Sequence, residues 1–529
     1  MKQLFARTNK RISLGGAASL LFAVTLITQV LGFLRNRLIS TNFTVIDPGS
    51  SDAFFAAFQL PDFFFYTISA GALGVTFIPF LVDRLHSSDR KGVWELTSSL
   101  LNILAIIMAG ISVLTFIFAK PMIYLLAPNL PDDHLAEAVK IMQIISFNPL
   151  LFTLSGILTS VQQTFGRFFF YALAPLMYNA MIIVSIFVFR DSFGIVGLGF
   201  GALIGAIIQL GVAVVGMYGL GFRYWPLIKW RNQNFKKMLR NLPARSLDQG
   251  IDQVNSIAEV NRAQALGTGP VSYYNFALTL HNVPIFLLGN SIAIAAFPRL
   301  SERLSQNRSD LFKKEFLDIL RAMIWITVPV VIVSYFARGY LARLIFGDVA
   351  PEVARIFEFL AFAIFFRILY TMLSRYFYAY KDTKTPLIVS IFAIALNIFL
   401  AFTLAKPQTW SISGLALAQL IVAIFEVGVL FLVIIWRNPR FFNSIFWGGL
   451  VRVAAASGFS LMATFIMISL LPLQLADRGL VTLGTKFGLI AAVTLVVHFG
   501  ASYIFGLSEA QAIMVRIKNI ILKPIRQPF

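Results

Sequence analysis

Apolar runs of about 20 residues alternate along this chain with short polar or basic connections. A helix rises 1.5 Å per residue, so about 20 such residues cross the ~30 Å hydrocarbon core of a bilayer. The runs predict membrane helices near residues 13–40, 51–82, 93–119, 135–163, 168–189, 194–221, 246–267, 271–298, 315–337, 354–380, 385–405, 411–436, 447–471 and 482–506, fourteen spans in all. The seventh is the exception. It reads SLDQGIDQVNSIAEVNRAQALG, and by hydropathy alone it is a surface helix. Its polar groups Asp248, Asp252, Asn255, Glu259 and Arg262 recur at spacings of four and three, which puts them on one helical face.

Charge decides the matter in favour of a span. Basic loops collect on the cytoplasmic side of a bilayer. Loop 222–245 carries Arg223, Lys229, Arg231, Lys236, Lys237, Arg240 and Arg245, and loop 299–314 carries Arg299, Arg303, Arg308, Lys313 and Lys314. Both belong inside, yet only one apolar helix, 271–298, crosses between them. A second crossing is needed, and 246–267 supplies it, with its polar stripe turned to a hydrated interior. Loops with Arg84, Arg90 and Lys91, with Lys381 and Lys384, and with Arg437 and Arg440 also fall inside, as do both termini. Trp225 and Trp230 among the cations of loop 222–245 suit the headgroup interface.

An internal repeat sets the architecture. Phe77–Leu85 (FIPFLVDRL) matches Ala296–Leu304 (AFPRLSERL), and Gly194–Ala206 (GIVGLGFGALIGA) matches Ser411–Ala423 (SISGLALAQLIVA). Pro175 with Asn179 corresponds to Pro386 with Asn397. The offsets are all about 220 residues, so spans 1–6 and 7–12 are two copies. Each copy has an even number of spans, so the repeat is parallel, with its axis along the membrane normal, as in alternating-access transporters. The expected fold is an all-α integral membrane protein with two six-helix lobes around a central cavity. The N-lobe takes 1–221, a basic interfacial loop 222–245, the C-lobe 246–440, and two further helices with a basic tail 441–529.

Composition agrees. The chain has 529 residues, 58% hydrophobic and 13% charged, with mean hydropathy +0.79, so lipid must be part of its solvent. The net charge of +20 is accounted for by the cytoplasmic loops, and no nucleic acid is expected. Lys2, Arg7, Lys10 and Arg11 precede an apolar run too long for a signal peptide, which reads as the first membrane helix. Cysteine is absent, which removes disulfides, thiolate metal sites and cysteine nucleophiles. His86, His134, His281 and His498 are scattered, the loops are short, and no acidic loop motif offers metal-assisted or general-base chemistry. An enzyme is not expected.

Within this apolar chain a few ionisable groups stand out. Arg35, Asp52 and Asp62 lie in or against the first two spans. Such a group in hydrocarbon costs roughly 2.5–3.5 kcal/mol on insertion scales, so it faces a partner or a watery cavity. Arg35 is either a cavity group or an interfacial residue that snorkels to the headgroups. Asp52, beside Ser51, is either a cavity group or the N-cap of its own helix. Glu426 marks a polar interior or a structural pair, and His281 is either a titrating group or a satisfied core histidine.

The motifs LGFLRN (Leu31–Asn36), SDAFFAAFQLP (Ser51–Pro61), GA-xxxx-F-x-P (Gly71–Pro79), ALAPLMYN (Ala172–Asn179) and YAYKDTKTP (Tyr378–Pro386) resemble those of the MurJ (MviN) lipid II flippases in the MATE-like exporter superfamily. The resemblance runs over essentially the whole chain. It implies a flippase carrying an undecaprenyl-diphosphate-linked disaccharide-pentapeptide across the bacterial plasma membrane for peptidoglycan synthesis. Spans 13 and 14 would then form a groove for the lipid tail. Expected partners are that lipid-linked glycan, membrane lipid and the cell-wall synthesis machinery, with the chain acting as a monomer. Arg35 falls on the family's first-span arginine and Asp52 on its second-span aspartate. The resemblance departs at Gln29, Asn36, the Phe65–Tyr66 region and Thr279, where the family carries three further arginines and one acid. Asn255, Glu259 and Arg262 in span 7 and Arg367 in span 10 are the groups that would compensate. Some members use sodium between span 7 and spans 10–11, where Asp248, Asp252, Asp382 and Asn397 offer the oxygen donors a hard cation prefers. Asp382, however, sits in a cytoplasmic turn between Lys381 and Lys384. Sodium or the membrane potential is the expected coupling source. Two other readings stay open: a flippase for another polyprenyl-diphosphate-linked oligosaccharide, and a cation-coupled MATE-type exporter.

Overall fold

A computed structural model describes residues 14–43, 45, 50–70, 77–86, 89–128, 130–226, 228, 230, 235–236 and 253–511. Every regular element among them is helical. The first half contains α1 (Leu14–Asn42), α2 (Ser51–Phe64), α3 (Ile78–His86), α4 (Arg90–Ile117), α5 (Ala119–Leu126), α6 (Asp132–Ile145), α7 (Asn148–Thr164), α8 (Phe169–Phe193) and α9 (Val196–Gly216). The described part of the seventh span, residues 253–264, is α10. Then come α11 (Pro270–Pro284), α12 (Ser291–Ser305), α13 (Ser309–Phe336), α14 (Arg338–Phe346), α15 (Ala350–Ala379), α16 (Lys384–Leu404), α17 (Ser413–Arg437), α18 (Ser444–Leu470) and α19 (Leu480–Ile504).

Eleven helical stretches among the described residues are long and apolar enough to cross a membrane, and they fall on eleven of the fourteen expected spans. The other three expected spans are the first, second and seventh. The first is the 29-residue α1. The second begins with α2, and the described part of the seventh is α10.

The helix order carries the repeat further than the motifs do. α2 runs into a π-helical turn at Phe65–Ala70, and α11 runs into another at Ile285–Asn290, about 220 residues on. Each is followed by a short helix with the proline of the P-x-L-x-[D/E]-R-L motif, α3 or α12. The short α5 after α4 likewise corresponds to α14 after α13. A π turn widens the helix and releases local backbone bonds, so its retention in both copies marks a structural requirement.

The chain forms two compact units, Met1–Asn275 with Ala401–Ser411, and Phe276–Leu400 with Ile412–Phe529. In the first, α8 and α9 pack closely because Gly197, Gly201 and Gly205 recur every fourth residue on one face of α9. A Cβ on Gly201 would lie 2.1 Å from the Ser185 hydroxyl, and one on Gly205 would lie 3.0 Å from the Tyr178 carbonyl oxygen. Small residues at this spacing let membrane helices approach backbone to backbone. The close approach sets the position of Tyr178 and its neighbour Asn179. A separate core of Phe77, Leu81, Trp94, Leu100, Ile157 and Val161 joins α3, α4 and α7. The described part of the basic loop packs on α4, with Asn102 donating to the Trp225 carbonyl at 2.9 Å.

In the second unit, α18 and α19 dock on α13 and α14 through a mixed seam. Val333, Tyr340, Leu483 and Ile490 form its apolar part. Its polar part centres on Pro329, which has no N–H and leaves the Trp325 carbonyl without its helical donor. His498 of α19 meets that carbonyl at 3.0 Å through Nε2. Its Nδ1 is 2.9 Å from the Ser460 hydroxyl of α18, and the Trp325 indole donates to Ser502 at 2.8 Å. Buried polar groups in an apolar surrounding need such partners, and here they fix which faces of the helices meet.

Candidate functional site

Arg35 lies on α1 where that helix meets α8. Its Nη1 donates to Asn179 Oδ1 at 3.1 Å and its Nε to Asn36 Oδ1 at 3.2 Å. Asp62 of α2 and Tyr178 of α8 are within electrostatic range of it. The guanidinium is thus held by amide oxygens, with an acid on the next helix within electrostatic range. An arginine so placed keeps the planar fork that matches a phosphate. Asn179, which the sequence shows in a repeat and in a family motif but not as a site residue, is the residue that orients it.

Asp52 is used differently from either expectation. The N-cap of α2 is Ser50, whose hydroxyl accepts the Asp52 N–H at 3.1 Å. The Asp52 carboxylate, fully buried at 0% exposure, reaches to the start of α11. There Oδ2 accepts the Gly269 N–H and Oδ1 the Ser272 N–H, both at 2.7 Å. These are donors that a helix N-terminus leaves without an internal partner, and a carboxylate there is also favoured by the helix dipole. The Ser51 and Ser272 hydroxyls meet at 2.7 Å. Gly269 has φ +106°, a conformation that side chains rarely adopt, which explains a glycine at this turn. Asp52 therefore caps α11, not its own helix.

The polar stripe of α10 finds protein partners. Glu259, 6% exposed, accepts from the Tyr274 hydroxyl at 3.1 Å and from Asn255 Nδ2 at 3.2 Å. Ser256 donates to Gln59 of α2 at 3.1 Å, and Asn261 donates to the Leu126 carbonyl at the end of α5 at 2.9 Å. Arg262 donates through Nε to the Ala405 carbonyl just past α16 at 2.7 Å and lies 5.9 Å from the Phe402 ring. It closes a helix C-terminus whose last carbonyls lack internal donors.

In the second unit Arg367 of α15 donates to Glu426 Oε2 of α17 at 2.6 Å and to Gln419 Oε1 at 2.7 Å. Both ends of its fork are occupied by α17. Glu426 is 4% exposed and serves as half of that pair. His281 is buried, its Nδ1 2.9 Å from the Leu360 carbonyl.

Of the four proposed cation ligands, the two that are described lie apart. Asp248 and Asp252 lie outside the described residues. Asp382 stands just before the first turn of α16, accepting from Thr385 N–H and hydroxyl at 3.0 and 2.6 Å and from Arg437 at 2.7 Å. Burial pushes its carboxyl up, but the Thr385 bonds and Arg437 outweigh that and hold it at about 2. Asn397 is buried well inside α16, about 20 Å further along the axis at 1.5 Å per residue, so no single ion touches both. In a helix the separation follows from rise alone. Spacing by apparent neighbourhood of spans hid it.

Comparison with known proteins agrees with this fold and these motifs. The model of the family described as lipid II flippase MurJ matches residues 49–493. The probable lipid II flippase MurJ of Bdellovibrio bacteriovorus is 24% identical over 520 residues, covering 94% of this chain and 96% of its own. The lipid II flippase MurJ of Burkholderia cenocepacia is 26% identical over 385 residues, 69% of this chain and 73% of its own. Among solved structures, lipid II flippase MurJ in an inward closed conformation superposes with TM-score 0.77 at 21% identity, covering 92% of this chain and 98% of that one. An inward-facing multidrug resistance MATE transporter of the MOP superfamily gives 0.63 at 14% identity, over 83% and 98%. With a family match over most of its length and a fold to go with it, this chain belongs to the lipid II flippase MurJ family.

Proposed function

We propose that this chain carries lipid II, an undecaprenyl-diphosphate-linked glycan, across the bacterial plasma membrane by alternating access, supplying peptidoglycan synthesis. The observation that carries the reading is the family match over residues 49–493. The chemistry fits. A diphosphate with a sugar needs cationic donors in a polar, water-accessible place, while a polyprenyl tail can stay in lipid. Arg35, oriented by Asn179, is the group assigned to the diphosphate. Both termini are placed in the cytoplasm, the chain acts alone, and cell-wall synthesis enzymes take the product. Coupling comes from sodium or from the membrane potential, which acts on an anion at about 2.3 kcal/mol per charge per 100 mV.

The test is rescue of a bacterium depleted of its own lipid II flippase. Rescue by the natural chain, and none by Arg35→Ala at equal membrane level, is the expected result. Failure of the natural chain at normal level overturns the lipid II assignment. A second reading then applies, a flippase for another polyprenyl-diphosphate-linked oligosaccharide. It is favoured by Gln29, Phe65–Tyr66 and Thr279, which stand where the resembled family carries arginines.

A further inference from the structure

α15 carries a second arginine, Arg375, and its surroundings are unlike those of Arg367. Among the described residues it forms no ion pair. Its Nε is buried without a hydrogen-bond partner. The guanidinium carbon sits 5.4 Å from the centroid of the Phe297 ring of α12 and 5.7 Å from that of Tyr378. Aromatic rings engage the face of a guanidinium, whereas its N–H donors lie in the plane at its edge. The two rings therefore flank the guanidinium, and among the described residues none accepts its Nε–H.

Beyond the rings that flank this arginine is a cavity of about 770 Å³, whose wall includes Pro298, Ser301, Glu302, Tyr378 and Lys381. Tyr378 forms part of the wall and also flanks Arg375, and Pro298 follows Phe297 directly. The cavity borders the basic connection 299–314, which its charge places on the cytoplasmic side. Lys381 is exposed at its rim, and Glu302 is its acid, engaged by Gln306 at 3.0 Å. An unpaired, partly buried cation is costly unless something completes it.

We propose that Arg375, with Lys381, receives the diphosphate of the lipid-linked substrate at the cytoplasmic side, before translocation. The planar donors of a guanidinium suit two phosphate oxygens at once. The assignment rests on the proposed flippase reading for its polyprenyl-diphosphate ligand, but not on the identity of the glycan.

The experiment measures binding of undecaprenyl diphosphate to the full chain in nanodiscs, with phosphatidylglycerol and inorganic pyrophosphate as separate probes. For the natural chain, undecaprenyl diphosphate should bind more tightly than phosphatidylglycerol, and pyrophosphate should compete. Arg375→Gln should weaken undecaprenyl diphosphate at least tenfold with unchanged thermal unfolding. Arg375→Lys, which keeps the charge and loses the fork, should fall between. Binding by Arg375→Gln or by Arg375→Lys within twofold of the natural chain overturns the proposal. Equal, Arg375-dependent binding of phosphatidylglycerol overturns the diphosphate assignment in favour of a general lipid phosphate. Failure to rescue a flippase-depleted bacterium, with Arg375-dependent undecaprenyl diphosphate binding retained, sinks the lipid II reading and leaves this site standing.

Discussion

The Asp52 carboxylate accepts the Ser272 backbone N–H at 2.7 Å, so a residue in the first turn of α2 closes the first turn of α11. The two helix starts are about 220 residues apart and correspond in the internal repeat. The carboxylate then lies at the positive ends of two helix dipoles, which is where a negative charge is favoured.

Asp52→Asn is therefore expected to destabilise the protein. An amide offers one oxygen, so either Gly269 or Ser272 loses its acceptor and faces an NH2 group instead. Leaving a buried donor unsatisfied costs about 1–3 kcal/mol. Thermal unfolding in detergent should show the loss, and an Asp52→Asn variant as stable as the parent would show that the cap is dispensable.

Arg367 and Glu426 should behave as a structural pair. Breaking a buried ion pair from one side costs roughly 3–5 kcal/mol, whereas replacing both partners by apolar residues is near neutral. Glu426→Gln should thus be less stable than the double variant Arg367→Met, Glu426→Leu. The comparison is read from unfolding midpoints. If the double variant is the worse of the two, Arg367 has a role beyond this pair.

His498 and Pro329 give a sharper test of how α19 is held. His498→Ala strands the Trp325 carbonyl, at a cost of about 1–3 kcal/mol. Pro329→Ala restores a backbone N–H four residues on, so it should recover part of that loss. A double-mutant cycle measures the coupling directly. Additive effects of the two substitutions would mean that His498 does not serve this carbonyl.

Asp382 sets a pH expectation. Its carboxyl is held at about 2 in the folded protein against an ordinary 3.8. A depressed carboxyl stabilises the fold fully above its unfolded value, and that contribution disappears as pH falls through the folded one. Asp382→Asn should lower the unfolding temperature at pH 7, and the gap should close between about pH 4 and pH 2. A gap independent of pH over that range would exclude an ionic role for the Thr385 and Arg437 contacts.

The sequence alone determined which segments are helical and apolar, the internal repeat and the family. Each of these follows from local pattern: runs of about 20 apolar residues for spans, and paired motifs for the repeat and the family. Arg35 was legible for the same reason, as a charge inside an apolar run. Side-chain partnership was decided only by tertiary structure. Asp52 and Arg367 both stand out as charges, yet their partners are Gly269 and Ser272 in one case and Gln419 and Glu426 in the other, at distances along the chain that no periodicity reports. Arg375, one of several arginines to the eye, is distinguished by the rings packed around it and by forming no ion pair among the described residues. Low dielectric makes each charge depend on its immediate neighbours, and those neighbours are set by how helices pack.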